Sequence, residues 1–156
     1  MPISKNLEKL LKQNKIRYET VAHKKVYTAF DAAETQHAKL SDVGKAVLVK
    51  SKEGLYLAVL PAGQNTDFKK LSKLIGAKVS MAKEREITAK LKTKIGLIAP
   101  FGSLYGLPVY LDNKLARAKK LILPAGSYTE SVQISSKDYL RLENPILGNF
   151  SVKKSV

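Results

Sequence analysis

Residues 46–60 read Ala46-Val-Leu-Val-Lys50, then Ser-Lys-Glu-Gly54, then Leu55-Tyr-Leu-Ala-Val-Leu60. Two apolar runs flank a short polar segment ending in glycine, the pattern of a β-hairpin. Neither run alternates between apolar and polar residues, so both strands are expected to be well buried. On the N-terminal side, Leu7, Leu10 and Leu11 follow Ser4 at helical spacing and predict a helix ending near Asn14. Ile16, Tyr18 and Val21 mark a short strand, and Thr28-Ala-Phe-Asp31 opens a second helix running to about Gln36. On the C-terminal side, Asp67 to Ile75 reads as a helix stopped by Gly76, with Leu71, Leu74 and Ile75 inward. A brief strand at Val79 precedes a helix over Glu84 to Leu91. Ile95–Ala99, Val109–Leu111, Lys120–Leu123 and Ser131–Ile134 are strand-like, Ser135–Leu142 is helical, and Ser151–Val156 reads as a loose basic tail. Strands outnumber helices and are joined both by tight turns and by helices. The expected fold is α+β: one domain over residues 1–150, with a mixed, mainly antiparallel sheet that curls toward a barrel and is flanked by helices.

The chain has 156 residues, 44% of them hydrophobic, enough for a single domain with a real core. Cysteine is absent, which excludes disulfides, thiolate metal sites and a cysteine nucleophile. No stretch approaches the ~20 apolar residues of a membrane span, and no long apolar segment follows the N-terminus. A soluble, cytoplasmic protein with no membrane partner is expected. Lys and Arg number 28 against 13 Asp and Glu, a formal charge of +15. That surplus points to a polyanionic partner, most simply nucleic acid.

Most catalytic signatures are missing. His23 and His37 are the only histidines and lack the spacing of a zinc-binding helix. Gly102-Ser-Leu-Tyr-Gly106 has its serine misplaced for a nucleophile elbow. Gly44-Lys45-Ala46 lacks the remainder of a phosphate-binding loop, and no dinucleotide fingerprint occurs. No metal and no cofactor are expected.

Two features remain. Lys45 stands just before the apolar strand, where a lysine can act as a fixed cation for a phosphate or a developing oxyanion. Position alone favours a solvated strand-end lysine in so basic a chain. Lys94-Ile-Gly-Leu-Ile-Ala-Pro-Phe-Gly-Ser103 carries an apolar run into a loop stiffened by Pro100, with Gly96 and Gly102 permitting close backbone approach. Such a loop can bind a carbonyl or carboxylate through free N–H groups, or it can simply close the sheet.

Around these residues the sequence resembles the YbaK-type aminoacyl-tRNA deacylases, relatives of the editing domain inserted in bacterial prolyl-tRNA synthetases. The resemblance rests on Asp42-Val-Gly-Lys45-Ala-Val-Leu-Val-Lys50, Leu57-Ala-Val-Leu-Pro-Ala62, Leu71 to Gly76, and Gly96-Leu-Ile-Ala-Pro100-Phe-Gly102. His23, Tyr27-Thr28, Leu107-Pro-Val-Tyr-Leu-Asp112 and Ala125-Gly-Ser127 agree, in consistent order from about residue 3 to 145. It implies a trans-editing hydrolase that cleaves the ester between a mischarged amino acid and the tRNA 3′ end. Lys45 matches the family's required lysine. Gly96 to Pro100 matches its Gly-x-x-x-Pro loop, so that Gly96, Ala99, Pro100, Phe101 and Gly102 are expected around the aminoacyl carbonyl. The resemblance also brings His23, Tyr27, Thr28, Ser127 and Thr129 to the pocket as substrate-binding candidates. It further implies that the terminal adenosine hydroxyl helps to activate water, a scheme that needs neither metal nor protein nucleophile.

The partners implied are the 3′ end and acceptor stem of aminoacyl-tRNA, with a synthetase as a second partner left open and no DNA expected. Gly126-Ser-Tyr-Thr-Glu-Ser131 departs from relatives that carry an acidic residue or histidine there, which leaves the amino acid removed undetermined. His23 also reads as a structural histidine, and His37 as a surface residue at a helix C-terminus. The rival function is a non-catalytic RNA-binding or regulatory module on the same fold. A ribosome-associated structural protein ranks last, because only Lys153-Lys154 hints at a basic extension.

Overall fold

The computed structural model describes residues 3–22, 39–94 and 97–154. The expected second helix, with Tyr27, Thr28 and His37, lies outside them, as do His23 and Gly96. Helix α1 (Lys5–Gln13) starts where Ser4 Oγ accepts the Leu7 N–H at 3.4 Å, and buries Leu7 and Leu11. β1 (Tyr18–Ala22) follows. The hairpin is β2 (Gly44–Ser51) and β3 (Gly54–Pro61), antiparallel from Gly44↔Pro61 to Ser51↔Gly54. Its two faces serve two cores. Leu48, Leu57 and Val59 join a first, larger cluster, whereas Val49, Ala58 and Leu60 join a second with Leu71, Tyr110 and Phe150. Burial on both faces is the reason neither strand alternates in sequence.

β4 (Gln64–Thr66) leads into α2 (Phe68–Ile75), capped by Asp67 and ended by Gly76 in the left-handed region at φ 87°. β5 (Ser80–Met81) and α3 (Glu84–Leu91) come next. Then follow β6 (Val109–Asp112), the short helix α4 (Asn113–Ala116), β7 (Lys120–Pro124), β8 (Glu130–Ser135), α5 (Ser136–Glu143), β9 (Ile146–Gly148) and β10 (Ser151–Lys153).

The strands form three sheets. One has the order β5-β2-β3-β6-β9, with β3/β6 and β6/β9 parallel and the other pairs antiparallel. The second, β1-β8-β7, is antiparallel, and β4 pairs with β10. A parallel bridge between Val43 and Ile122 ties the two larger sheets together. Between them sits the first cluster, with Leu48, Leu57 and Val59 facing Leu121, Leu123, Val132 and Ile134. The fold is α+β, as expected.

Two expectations are corrected. Ile98 and Ala99 lie in no strand, because the chain turns there: Leu97 N–H bonds the Lys94 carbonyl and Phe101 N–H the Ala99 carbonyl. Pro100 has no N–H to offer a ladder. Ser151–Lys153 is not loose but forms β10, since Asp112 Oδ2 accepts the N–H groups of Phe150 (2.9 Å) and Ser151 (3.0 Å). Asp112 and Phe150 are both fully buried.

Candidate active site

Lys45 is the second residue of β2, in register with Leu60. Gly44 before it is buried between Leu115 and Leu123, where a methyl would lie 2.8 Å from Leu123 Cδ2 and 3.2 Å from Leu115 Cδ1. That packing pins the start of the strand. The Lys45 side chain is half-buried. Burial lowers its pKa from the ordinary lysine value, and the nearby charge of Lys154 lowers it further. Lys45 borders a cavity of about 310 Å³ whose wall is otherwise apolar among the described residues, including Ala46, Leu48, Ile87, Ile98 and Pro124. A single cation at an apolar cavity loses less of its field to water than one on an open surface.

Ile98 carries the Gly–Pro loop to this cavity. The rest of the loop is anchored behind it. Ala99 donates its N–H to Tyr105 Oη at 3.1 Å, and Tyr139 donates its hydroxyl to the Pro100 carbonyl. Phe101 is fully buried, edge-on to Tyr139 with ring centroids 5.5 Å apart. At Gly102 a methyl would fall 2.3 Å from the Leu107 carbonyl oxygen, so only glycine fits. Glu143 receives the Ser103 N–H (3.0 Å) and hydroxyl (2.8 Å). Helix α5, through Tyr139 and Glu143, is therefore the bracket of the loop. The structure brings Lys45 and the loop together through Ile98, and it uses the N–H groups of Ala99 and Phe101 internally.

With this geometry the chain can be set beside known proteins. The aminoacyl-tRNA editing domain family matches residues 23–142. The chain belongs to that family. It is 31% identical over 147 residues to the multifunctional Ser/Thr-tRNA deacylase ProXp-y of Escherichia coli K12, covering 90% of this chain and 88% of the relative. It is 26% identical over 154 residues to EbsC of Enterococcus faecalis, named as a candidate Cys-tRNA(Pro)/Cys-tRNA(Cys) deacylase, covering 96% and 94% of the two chains. A candidate trans-editing enzyme for prolyl-tRNA synthetase superposes with a TM-score of 0.85 at 20% identity, covering 97% of this chain and 99% of that one. The hypothetical protein APE2540 gives 0.85 at 18% identity, covering 95% and 100%. These two share the fold.

In this editing domain the departing segment after β7 has a structural task. Ser127 Oγ accepts the N–H groups of Thr129 and Glu130, both at 3.1 Å. Glu130 Oε2 accepts the Ile3 N–H at 3.0 Å, and the Ala125 carbonyl accepts the Ser4 N–H at 2.9 Å. The segment thus clasps the start of α1. Pro124, the last residue of β7 just before it, lines the Lys45 cavity, whereas Ser127 and Thr129 do not. Ala99 faces a separate cavity of about 410 Å³, shared with Tyr105 and Gly126. His23, Tyr27, Thr28 and Gly96 lie outside the described residues. Sequence reading missed Ile87 and Pro124 as cavity wall, Tyr139 and Glu143 as loop anchors, and Lys154 as a neighbour of Lys45. Ile87 and Tyr139 left a trace in sequence, each on the inward stripe of an expected helix.

Proposed function

We propose that this protein is a trans-editing aminoacyl-tRNA deacylase in which Lys45 stabilises the oxyanion formed during ester hydrolysis. One observation carries the reading: among the described residues, Lys45 is the single charge on the wall of a small apolar cavity that also meets the Gly–Pro loop at Ile98. The cavity receives the amino-acid side chain, and the ester carbonyl lies at its mouth beside the ammonium. A water adds to the carbonyl carbon, negative charge collects on the carbonyl oxygen, and the carbon–oxygen bond to the ribose breaks. The ribose oxygen leaves with a proton, giving free amino acid and deacylated tRNA. The aminoacyl ester is labile, so positioning and charge stabilisation suffice without a protein nucleophile or a metal.

The neighbouring ribose hydroxyl of the terminal adenosine orients the water. Ala99, Pro100, Phe101 and Gly102 act through the position of Ile98 and the loop backbone, and Ser127 and Thr129 through the position of Pro124. An apolar cavity of this volume suits a small uncharged side chain. The relatives named for Ser, Thr and Cys substrates support that size class. The surplus of positive charge holds the acceptor stem, consistent with a protein that acts on tRNA in solution.

The deciding experiment incubates the protein with a panel of mischarged tRNAs and follows ester loss. Ester loss from at least one small-residue pair, abolished by Lys45→Ala, is expected. Failure on every pair, with salt-sensitive tRNA binding retained, would make the protein a non-catalytic RNA-binding module.

A further inference from the structure

Close to Lys45, but distinct from the apolar cavity, lies a second hollow, bordered by two lysines, that no catalytic role absorbs. The β2/β3 register sets Gly44 opposite Pro61, directly next to the Lys45–Leu60 pair. From Pro61 the chain passes into β4, and β10 pairs with β4 so that Lys153 lies opposite Gln64. The C-terminal strand is thereby carried to the open end of β2. The result is a cavity of about 430 Å³ bordered by Ser41, Pro61, Gly63, Gln64, Lys153 and Lys154.

Its lysines have no ion-pair partner among the described residues. Among the described residues the ion pairs are Lys12–Glu8, Lys50–Glu86 and Arg141–Asp138, and none involves Lys45, Lys153 or Lys154. The carboxylate adjoining the hollow in sequence, Asp42, accepts the Lys39 N–H at 3.2 Å. Lys154 is near enough for its charge to depress the pKa of Lys45. Lys153 and Lys154 share the hollow, and Lys154 also repels Lys45; a polyanion segment laid there relieves that like-charge repulsion. Ser41 adds a hydroxyl to this wall, and Pro61 and Gly63 complete it. The Gln64 amide oxygen is buried and has no hydrogen-bond partner among the described residues. The β10 backbone is held in place by buried Asp112, so the two lysines are presented from a fixed strand end.

We infer that Lys153 and Lys154, with Ser41, form a phosphodiester-binding subsite for the single-stranded 3′ backbone of the RNA whose aminoacyl end lies at Lys45. This rests on the deacylase reading and deepens it. The phosphate 5′ to the terminal nucleoside is one ribose away from the ester. It therefore falls in whatever hollow adjoins the catalytic cation, and here that hollow is cationic. The subsite positions the end of the substrate, and its residues touch backbone phosphate, which carries no base identity.

The test compares wild type, K153Q/K154Q and K5Q/K9Q, the last removing the same charge from the exposed face of α1. Three substrates of increasing length are used: a 3′-aminoacyl-adenosine without phosphate, an aminoacylated CCA trinucleotide, and the mischarged tRNA. K153Q/K154Q should lose about tenfold in kcat/KM on the trinucleotide and the tRNA and nothing on the nucleoside, while K5Q/K9Q keeps the trinucleotide rate. The slope of log(kcat/KM) against log salt on the trinucleotide should flatten by about 1.4, the value for two single-strand phosphate contacts. Equal loss on all three substrates, or no loss on the trinucleotide, overturns the subsite.

A binding measurement separates this from the deacylase reading. Fluorescence anisotropy of an uncharged RNA ending in CCA needs no turnover, and K153Q/K154Q should weaken it about tenfold while K5Q/K9Q does not. If wild type deacylates nothing yet this binding difference appears, the hydrolase reading fails and the subsite stands. If the two double variants bind alike, the subsite fails whatever the activity.

Discussion

Tyr139, fully buried in α5, donates its hydroxyl to the carbonyl of Pro100 and so ties the Gly–Pro loop to a helix far away in sequence. Burial holds the phenol well above its ordinary pKa, so it stays a donor throughout the working pH range. Tyr139→Phe keeps the edge-on packing against Phe101 but leaves the Pro100 carbonyl unpaired. The expected cost is about 1–3 kcal/mol of stability. If the loop positions Ile98 and the ester, deacylation should fall as well, and most of that fall should be in kcat. Thermal unfolding and single-turnover hydrolysis measure the two effects. Unchanged stability together with unchanged hydrolysis would mean that this bond does not hold the loop.

Lys45→Ala should reduce hydrolysis of the cognate mischarged tRNA by about 10²–10³, the usual cost of removing one oxyanion-stabilising group. The fold should persist, because the variant removes a half-buried charge with no ion-pair partner among the described residues. Circular dichroism checks the fold and single-turnover kinetics the activity. A variant with wild-type rates would remove Lys45 from the mechanism.

The same lysine sets a pH dependence. Its folded pKa is lowered, first by burial and then by Lys154. The required form is the charged one, so the enzymatic rate above background should decline with rising pH, at lower pH than an ordinary lysine would dictate. Lys154→Gln removes a like charge, which must raise the Lys45 pKa and move that decline to higher pH. Between the lowered folded pKa and the unfolded one, the unfolded chain binds more protons, so this group makes stability increase with pH across that window. A pH–rate series on both proteins reads the displacement; a decline moving to lower pH in the variant would refute the coupling.

Two glycines should respond differently to alanine. At Gly102 the new methyl meets backbone, the Leu107 carbonyl oxygen at 2.3 Å, as well as Val109 Cγ2 at 2.5 Å. At Gly44 it meets the ends of two leucine side chains at 2.8 and 3.2 Å. Flexible leucine ends can swing aside, whereas backbone cannot. Gly102→Ala is expected to cost about 3 kcal/mol and Gly44→Ala about 1 kcal/mol, within the range for overpacked cores. Melting temperatures of the two variants give the order directly.

Asp112 links β6 to the C-terminal strand. Its Oδ2 accepts the Phe150 and Ser151 N–H groups and its Oδ1 the Lys114 N–H. Asp112→Asn turns one acceptor oxygen into a donor that must face an N–H, at an expected cost of about 2–3 kcal/mol. Hydrogen exchange at Val152 and Lys153 should accelerate more than at the hairpin amides. Uniform acceleration across the molecule would mean that Asp112 stabilises the fold globally and does not secure β10 in particular.

Much of the architecture was legible because it is written in local periodicities. Ser4 with Leu7 and Leu11, Asp67 with Leu71 and Gly76, and the Glu84–Leu91 helix each declare themselves within two or three turns, since i, i+3 and i+4 side chains share a face. The hairpin was equally plain, and Lys45 and the Pro100 loop stood out beside it. The editing-domain family was readable from the order of such segments.

Other features depend on which distant groups meet, and no local pattern encodes that. The apolar runs at Val49 and Ala58 predicted burial, but only packing divided their faces between two cores. Ile95–Ala99 looked like a strand by composition, yet at Ile98 and Ala99 a turn prevailed because Pro100 cannot donate and its carbonyl is held by Tyr139. The segment from Ser151 looked loose because its anchors, Asp112 and β4, lie far back in the chain. The amino-acid sequence determined the elements, the charge and the likeness to editing domains through short-range side-chain chemistry. Tertiary structure alone decided that Lys154 stands beside Lys45 and that Ile98 closes the cavity, because buried hydrogen bonds between remote residues set where each chain segment ends up.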